Sequence, residues 1–280
     1  MTTRDQLAKQ VKQKLAQPQS DDSIIAQLKA MGFDDTVQEV RRRLIISSEG
    51  REKTGKSHFG LTGPAPIIYL NIDIGTEGVV EKFQKDGKRV LIYDVRVPKE
   101  SSKEIWSVMW SDFKLRVRKL YSLKSGTVLW DTATEAYELA RLARFGRLTE
   151  VKPSDYSEVN NEWRDVLRTA YDSDMNTVFI HKTKAVWRMV ANSRGGSSLT
   201  KTNDYELSGF SEMGYMAQVN LVHLREDTDD GTVFSACIKD CRSNPGIAGT
   251  VMRGLPLPAG EKRTIDPLCN FNMLLDLVYG

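Results

Sequence analysis

From residue 44 onward the chain alternates between two patterns. Short unbroken apolar runs are separated by longer stretches in which apolar residues recur every three or four positions. The runs are "LIIS" (44–47), "PIIYLNID" (66–73), "RVLIYDVRV" (89–97), "TVLWDTA" (127–133), "TVFIHKT" (177–183), "VNLVHL" (219–224) and "TVFSACI" (232–238). Runs without polar alternation predict strands buried on both faces, as in a parallel sheet covered by helices. Three intervening segments carry helical spacing. They are 101–123, 132–146 ("TATEAYELARLARFG", opened by the capping box Thr132 to Glu135) and 156–173, whose Tyr156, Val159, Trp163, Val166, Leu167 and Ala170 share a face. The turn signal "EDTDDG" joins the last two runs as an antiparallel hairpin. The expected fold is α/β: a mostly parallel twisted sheet with helices on both faces and an antiparallel C-terminal hairpin.

Residues 1–40 are polar and helical in pattern, broken at "QPQSDD", with Ile24, Ile25, Leu28 and Met31 at helical spacing. They are expected to form a small helical appendage to a domain covering 41–280. Of the 280 residues, 40% are hydrophobic and 28% charged, and no apolar run is long enough for a membrane span. The first residues lack the apolar centre of a secretion signal. Cys237, Cys241 and Cys269 have no zinc-site spacing and are expected to be reduced, which fits a cytoplasmic protein. Net charge is only +3, so a nucleic-acid surface would have to come from local clusters of Lys and Arg.

The candidate chemistry begins directly after the first run. "GREKTGKS" fits G-x-x-x-x-G-K-[ST] at Gly50, Gly55, Lys56 and Ser57, with Glu52, Lys53 and Thr54 inside the loop and His58 after it. A strand, this loop and a short helix ("KSHFGLT") are the context in which backbone N–H groups surround phosphates. Lys56 would reach the β- and γ-phosphates of ATP and Ser57 would hold Mg²⁺. Asp131, ending the apolar run Val128-Leu129-Trp130, would hold the ion through its waters. The competing reading of Asp131 is a cap on the next helix. Trp130 is bulkier than the aliphatic residue expected at that place. His223 reads as a satisfied core histidine.

The order of these parts resembles the RecA-type ATPase core, and especially the RecA-like nucleotide-binding proteins of tailed bacteriophages, some of them single-strand annealing recombinases. The stretches that carry the resemblance are "GREKTGKSHFGLTGPAPIIYLNIDIGTEGVVEKF", "VLWDTATEAYELARLARFG" and "IKDCRSNPGIAG". The resemblance implies an oligomeric, Mg²⁺-dependent ATPase that binds single-stranded DNA in recombination, repair or replication. It also implies a ring or filament of identical subunits, a single-strand binding protein as a further partner, no membrane, and the host cytoplasm as location. It implies a carboxylate after the second strand as base, and Asp73 and Glu77 both stand there; Gly75 occupies the place where relatives carry the acid. DNA contacts are implied in two segments. One holds Arg141, Arg144, Arg147 and Lys152. The other is the Gly/Ser-rich loop after His181, with Lys182, Lys184, Trp187, Arg188, Arg194 and Lys201. Cations follow phosphates there, and Trp187 offers a stacking face. Lys239 and Arg242 would serve a neighbouring subunit's γ-phosphate. The alternatives are a hexameric helicase or packaging motor, a nucleotide or small-molecule kinase, and a binding module that holds ATP as a structural ligand.

Overall fold

The computed structural model describes residues 20–36, 41–73, 78–98, 100–148, 151–191 and 197–280. The chain divides between Arg41 and Arg42 into two units. In the first, helix α1 (Asp21–Ala30) is capped by Ser20, whose hydroxyl accepts from the Ser23 N–H. The apolar residues of α1 are exposed, and so are Met31 and Phe33 beyond it.

The second unit holds an eight-stranded sheet in the order β10-β9-β8-β1-β5-β4-β2-β3. Its strands are β1 (Ile45–Glu49), β2 (Ile67–Asn71), β3 (Val90–Asp94), β4 (Thr127–Asp131), β5 (Asn176–Ile180), β8 (Val219–Thr228), β9 (Gly231–Cys241) and β10 (Val251–Arg253). All pairings from β8 to β3 are parallel, and β8–β9 and β9–β10 are antiparallel. The expected architecture is therefore observed, with a third strand extending the antiparallel edge. Three helices lie between the parallel strands where the periodicity predicts them: α4 (Lys103–Leu120), α5 (Ala133–Phe145) and α6 (Tyr156–Tyr171). Shorter helices are α2 (Lys56–Leu61), α3 (Val80–Lys85) and α7 (Met213–Met216), and α8 (Phe271–Tyr279) closes the chain. No described helix is long and apolar enough to cross a membrane.

The unbroken apolar runs arise because successive side chains of one strand enter two different cores. Ile45, Leu70, Val128, Trp130 and Phe179 face α4, α5 and α6. Leu44, Ile46, Ile67, Tyr69, Leu129, Val178 and Ile180 face the other way, with Phe59 of α2, Phe83 of α3 and Phe271 of α8. Trp130 has a clear role in the first core. It is fully buried, its ring meets Phe113 at 5.2 Å and Trp163 at 5.7 Å edge to face, and its Nε1 donates to the Tyr121 hydroxyl at 3.0 Å. An aliphatic residue would leave the centre of that aromatic group empty.

One expectation needs correcting. The described residues of the segment after His181 form not a loop but a two-stranded antiparallel ribbon, β6 (Thr183–Ala191) with β7 (Ser197–Leu207), a sheet of its own, and 192–196 lie outside the described residues.

On the second face Gly60 of α2 lies directly on β4. A Cβ there would stand 2.4 Å from Leu129 Cδ1, and Leu129 has no exposed surface to turn into. This close approach brings the start of α2 over the end of β4. In an open helix Gly→Ala stabilises by about 1 kcal/mol. Here the overpacking cost of about 1–3 kcal/mol outweighs it. Gly60→Ala is expected to lower the urea unfolding midpoint; a raised midpoint would show that Leu129 repacks freely.

Candidate nucleotide site

Because β8, β1, β5, β4, β2 and β3 are parallel, their carboxyl ends emerge along one edge of the sheet, the place where open α/β sheets bind ligands. β1 delivers the loop 50–55, β2 delivers Asp73, β4 delivers Asp131 and β5 delivers His181. The loop takes backbone shapes that glycine favours: Gly50 has φ 152° and Gly55 φ 90°, with Lys53 also left-handed at 59°. Any side chain at Gly50 would collide with the His223 carbonyl, 2.7 Å from a Cβ there. Thr54 Oγ1 donates to the Arg51 carbonyl at 2.8 Å and tightens the turn.

The Lys56 ammonium donates to the carbonyls of Gly50 (2.7 Å) and Arg51 (2.6 Å), spanning the mouth of the loop. Burial lowers its pKa, against the opposing pull of Asp131 and Glu52. Ser57 Oγ donates to Asp131 Oδ2 at 2.5 Å, so the two residues expected to serve one cation are in direct contact across β4. The Tyr69 hydroxyl donates to the same oxygen. Burial raises the Asp131 pKa, opposed by these two hydrogen bonds. The capping alternative for Asp131 is taken by its neighbour: Thr132 Oγ1 accepts the Glu135 N–H of α5 at 3.3 Å. The Asp131–Thr132 peptide is cis.

Asp73 pairs with Lys182 at 2.9 Å, and Lys182 also reaches Glu135 at 2.6 Å. Burial lowers the Lys182 pKa, but the hydrogen bonds to Glu135 and Asp73 outweigh it and hold the ammonium above its ordinary value. Glu77 lies outside the described residues. His181 is buried, with no hydrogen bond at either ring nitrogen among the described residues. His223 is a core histidine as expected but not a satisfied one, since its Nε2 takes no partner there. His58 turns from the loop: Nε2 lies 3.0 Å from the Arg263 carbonyl and the ring meets Phe83 at 5.0 Å. Beside Thr54, Gly55 and His58 opens a cavity of about 650 Å³, bounded further by Lys82, Phe234 and Arg263. Neither Phe234 nor Arg263 carried a sequence signal, because only the return of the segment 254–270 to this edge brings Arg263 there.

The ribbon β6–β7 is anchored at the same edge. Thr134 Oγ1, at the start of α5, accepts the Lys182 N–H (3.0 Å) and donates to the Ser208 carbonyl (2.8 Å). The Arg51 guanidinium of the phosphate loop lies over the Tyr205 ring, 5.3 Å from its centre. One ribbon face carries the cross-strand pairs Trp187–Lys201 and Met189–Leu199. Trp187, Met189 and Leu199 are all more than half exposed. Arg188 pairs with Asp204 at 2.8 Å and Lys184 with Glu206 at 3.3 Å, while Lys201 is exposed with no ion pair among the described residues. Arg194 lies outside the described residues. In the other expected segment Arg141 is tied to Glu138, Arg144 to Glu158 at 2.5 Å, Arg147 lies over Trp106, and Lys152 is exposed. Lys239 reaches Glu49 of its own chain at 3.4 Å. Arg242 donates to the Tyr215 carbonyl and lies over the Tyr171 ring.

No protein-family model matches the chain, and no curated protein does. Solved structures that resemble it include a KaiC-like protein from Pyrococcus horikoshii OT3 (12% identity, TM-score 0.43), covering 76% of this chain and 85% of that one. Flagellar accessory protein FlaH from Methanocaldococcus jannaschii is similar at 11% identity and TM-score 0.40, over 75% of this chain and 84% of its own. The RadB recombinase is similar at 12% identity and TM-score 0.41, over 75% of this chain and 86% of its own.

Proposed function

We propose that this chain is a Mg²⁺-dependent ATPase of RecA type that binds single-stranded DNA and acts in recombination, repair or replication, as an oligomer in the cytoplasm of a phage-infected host. In this reading 1–40 is a helical appendage and 41–280 the ATPase domain. The observation that carries the reading is the contact of Ser57 with Asp131 behind a glycine-hinged loop whose lysine is held over its mouth. That donor set fits Mg²⁺: a hydroxyl oxygen and a half-buried carboxylate with one oxygen unbonded among the described residues. Ser57 would hold the ion directly and Asp131 through water, and the bound ion neutralises charge on the phosphates.

The chain's own groups do the rest. Lys56 exchanges its two loop carbonyls for phosphate oxygens, an ammonium that burial has made a better partner for an anion than for water. The backbone N–H groups of 50–55 line the phosphates. The adjoining cavity has room for the base and ribose. Asp73 or Glu77 orients the attacking water, and release of Asp73 from Lys182 would be needed for the former. His181, buried beside the loop strand with neither ring nitrogen hydrogen-bonded among the described residues, is the candidate sensor of the terminal phosphate. Lys239 and Arg242 remain candidates for a neighbouring subunit's site. The exposed Trp187 face of the ribbon, flanked by Lys201, supports single-stranded DNA as the partner, since bases stack on aromatic faces.

The test is ATP hydrolysis with and without single-stranded DNA, beside Lys56→Ala. Turnover is expected to rise with DNA and to fall about 10²–10³-fold in the variant. Hydrolysis indifferent to DNA would sink the coupling. Phosphate transfer to an acceptor other than water would replace the reading with a kinase.

A further inference from the structure

We infer that Tyr69 is a positioning residue for the cation: it fixes the Asp131 carboxylate so that one oxygen stays committed to protein donors and the other is left for the ion's water. The inference rests on the nucleotide-site reading and adds to it a residue that the motif does not contain.

Tyr69 is fully buried in the middle of β2, where an aliphatic side chain would fill the core without a polar atom to satisfy. In the register of β2 against β4 it stands opposite Leu129, with Asp131 two positions further on the same face. The phenol therefore reaches along the sheet to its diagonal neighbour, a distance that long aromatic side chains span. Its hydroxyl donates to Asp131 Oδ2, the oxygen that also accepts from Ser57. Oδ1 takes no hydrogen bond among the described residues.

The three residues converge for three separate reasons: β2–β4 pairing places Tyr69, the strand end places Asp131, and the close seat of Gly60 on Leu129 lowers α2 so that Ser57 arrives. Two donors on one oxygen fix the rotation of the carboxylate. The hydrogen of Ser57 can remain on Asp131 while its oxygen offers a lone pair to an ion, but a lone hydroxyl on a short side chain leaves the carboxylate free to swing. The phenol, held in a packed core, does not swing. Outer partners that orient a ligand in this way usually change metal affinity about 10–100-fold when removed.

Tyr69→Phe removes one oxygen and keeps the ring in the core. The experiment measures binding of a fluorescent ADP analogue in EDTA, then titrates Mg²⁺ into the complex, with thermal unfolding of the nucleotide-free protein as a fold control. The variant is expected to need about ten times more Mg²⁺ for the same response, with affinity in EDTA within about twofold of the wild type. A titration midpoint unchanged in a folded, nucleotide-binding variant overturns the inference. Equal losses with and without Mg²⁺ assign Tyr69 a merely structural role and also overturn it. Should the wild-type chain bind no nucleotide in either condition, the nucleotide-site reading itself fails, and that result is distinct from the other two.

Discussion

Between pH 6.5 and 4 the nucleotide-free protein is expected to lose most of its stability, and its three histidines are the reason. Burial lowers the pKa of His181 and of His223 to about 3, the latter also through Lys56, and that of His58 to about 4, with Lys82 adding to the effect. In the unfolded chain each titrates near 6.5. Below 6.5 the unfolded state therefore takes up protons that the native state refuses, and stability falls as pH falls, by up to about 1.4 kcal/mol per pH unit for each histidine. By pH 5 each has lost about 2 kcal/mol, so the three together remove an amount comparable to the whole stability of an ordinary domain. Asp131 acts in the opposite sense, because its raised pKa lets the native state bind a proton first, but it is one group against three. Urea unfolding at pH 7, 6 and 5, followed by tryptophan fluorescence, measures this. The midpoint should fall steeply, and His181→Gln with His223→Gln should flatten the decline. Equal midpoints at pH 7 and 5 would show that these imidazoles are protonated in the native state.

What could be read from the chain divides along a physical line. The parallel strands are legible because each buries side chains on both faces, which leaves runs such as "PIIYLNID" with no polar alternation. α5 is legible at its start because Thr132 and Glu135 form a local capping contact that needs no tertiary partner. The pairing of Ser57 with Asp131 follows from the motif, since the loop after β1 starts α2 with Ser57 at the edge where β4 ends in Asp131. The ribbon is not legible. Both of its faces meet water, so "KAVWRMV" has no burial period to display, and its cross-strand pairs exist only once the register is set. Helix α8 is not legible for the opposite reason: Phe271, Leu274 and Val278 are buried against the sheet, but the helix is short and apolar on nearly every side. Tyr69 counts as one more apolar letter in a strand, and only the registration of β2 on β4 turns it toward Asp131. Trp130 is an oversized residue in sequence and the hub of an aromatic group in space.

Replacing Asp131 by asparagine is expected to cut Mg²⁺-dependent ATP turnover about 10²–10³-fold while leaving the fold intact. The two halves of this expectation have different causes. The carboxylate is half-buried, and its partial burial opposes its charge, so a neutral amide of nearly the same shape relieves a cost in the nucleotide-free protein. It also loses something, because an amide that accepts from Ser57 and Tyr69 through its oxygen must turn its NH₂ toward the side from which the ion's water would donate. Stability should stay within about 1 kcal/mol of the wild type, since a hydrogen bond exchanged for a similar one changes little. Helix α5 should be unaffected, because its cap is the Thr132 hydroxyl and not Asp131. Cation-assisted chemistry has no such compensation: the site loses the negative charge that attracts Mg²⁺ and gains a donor where an acceptor is required. Steady-state hydrolysis across a Mg²⁺ series, beside urea unfolding of the same preparation, separates the two halves. Turnover within threefold of wild type at every Mg²⁺ concentration would remove Asp131 from the cation site, whereas a collapse of stability in parallel with turnover would make the residue a structural one.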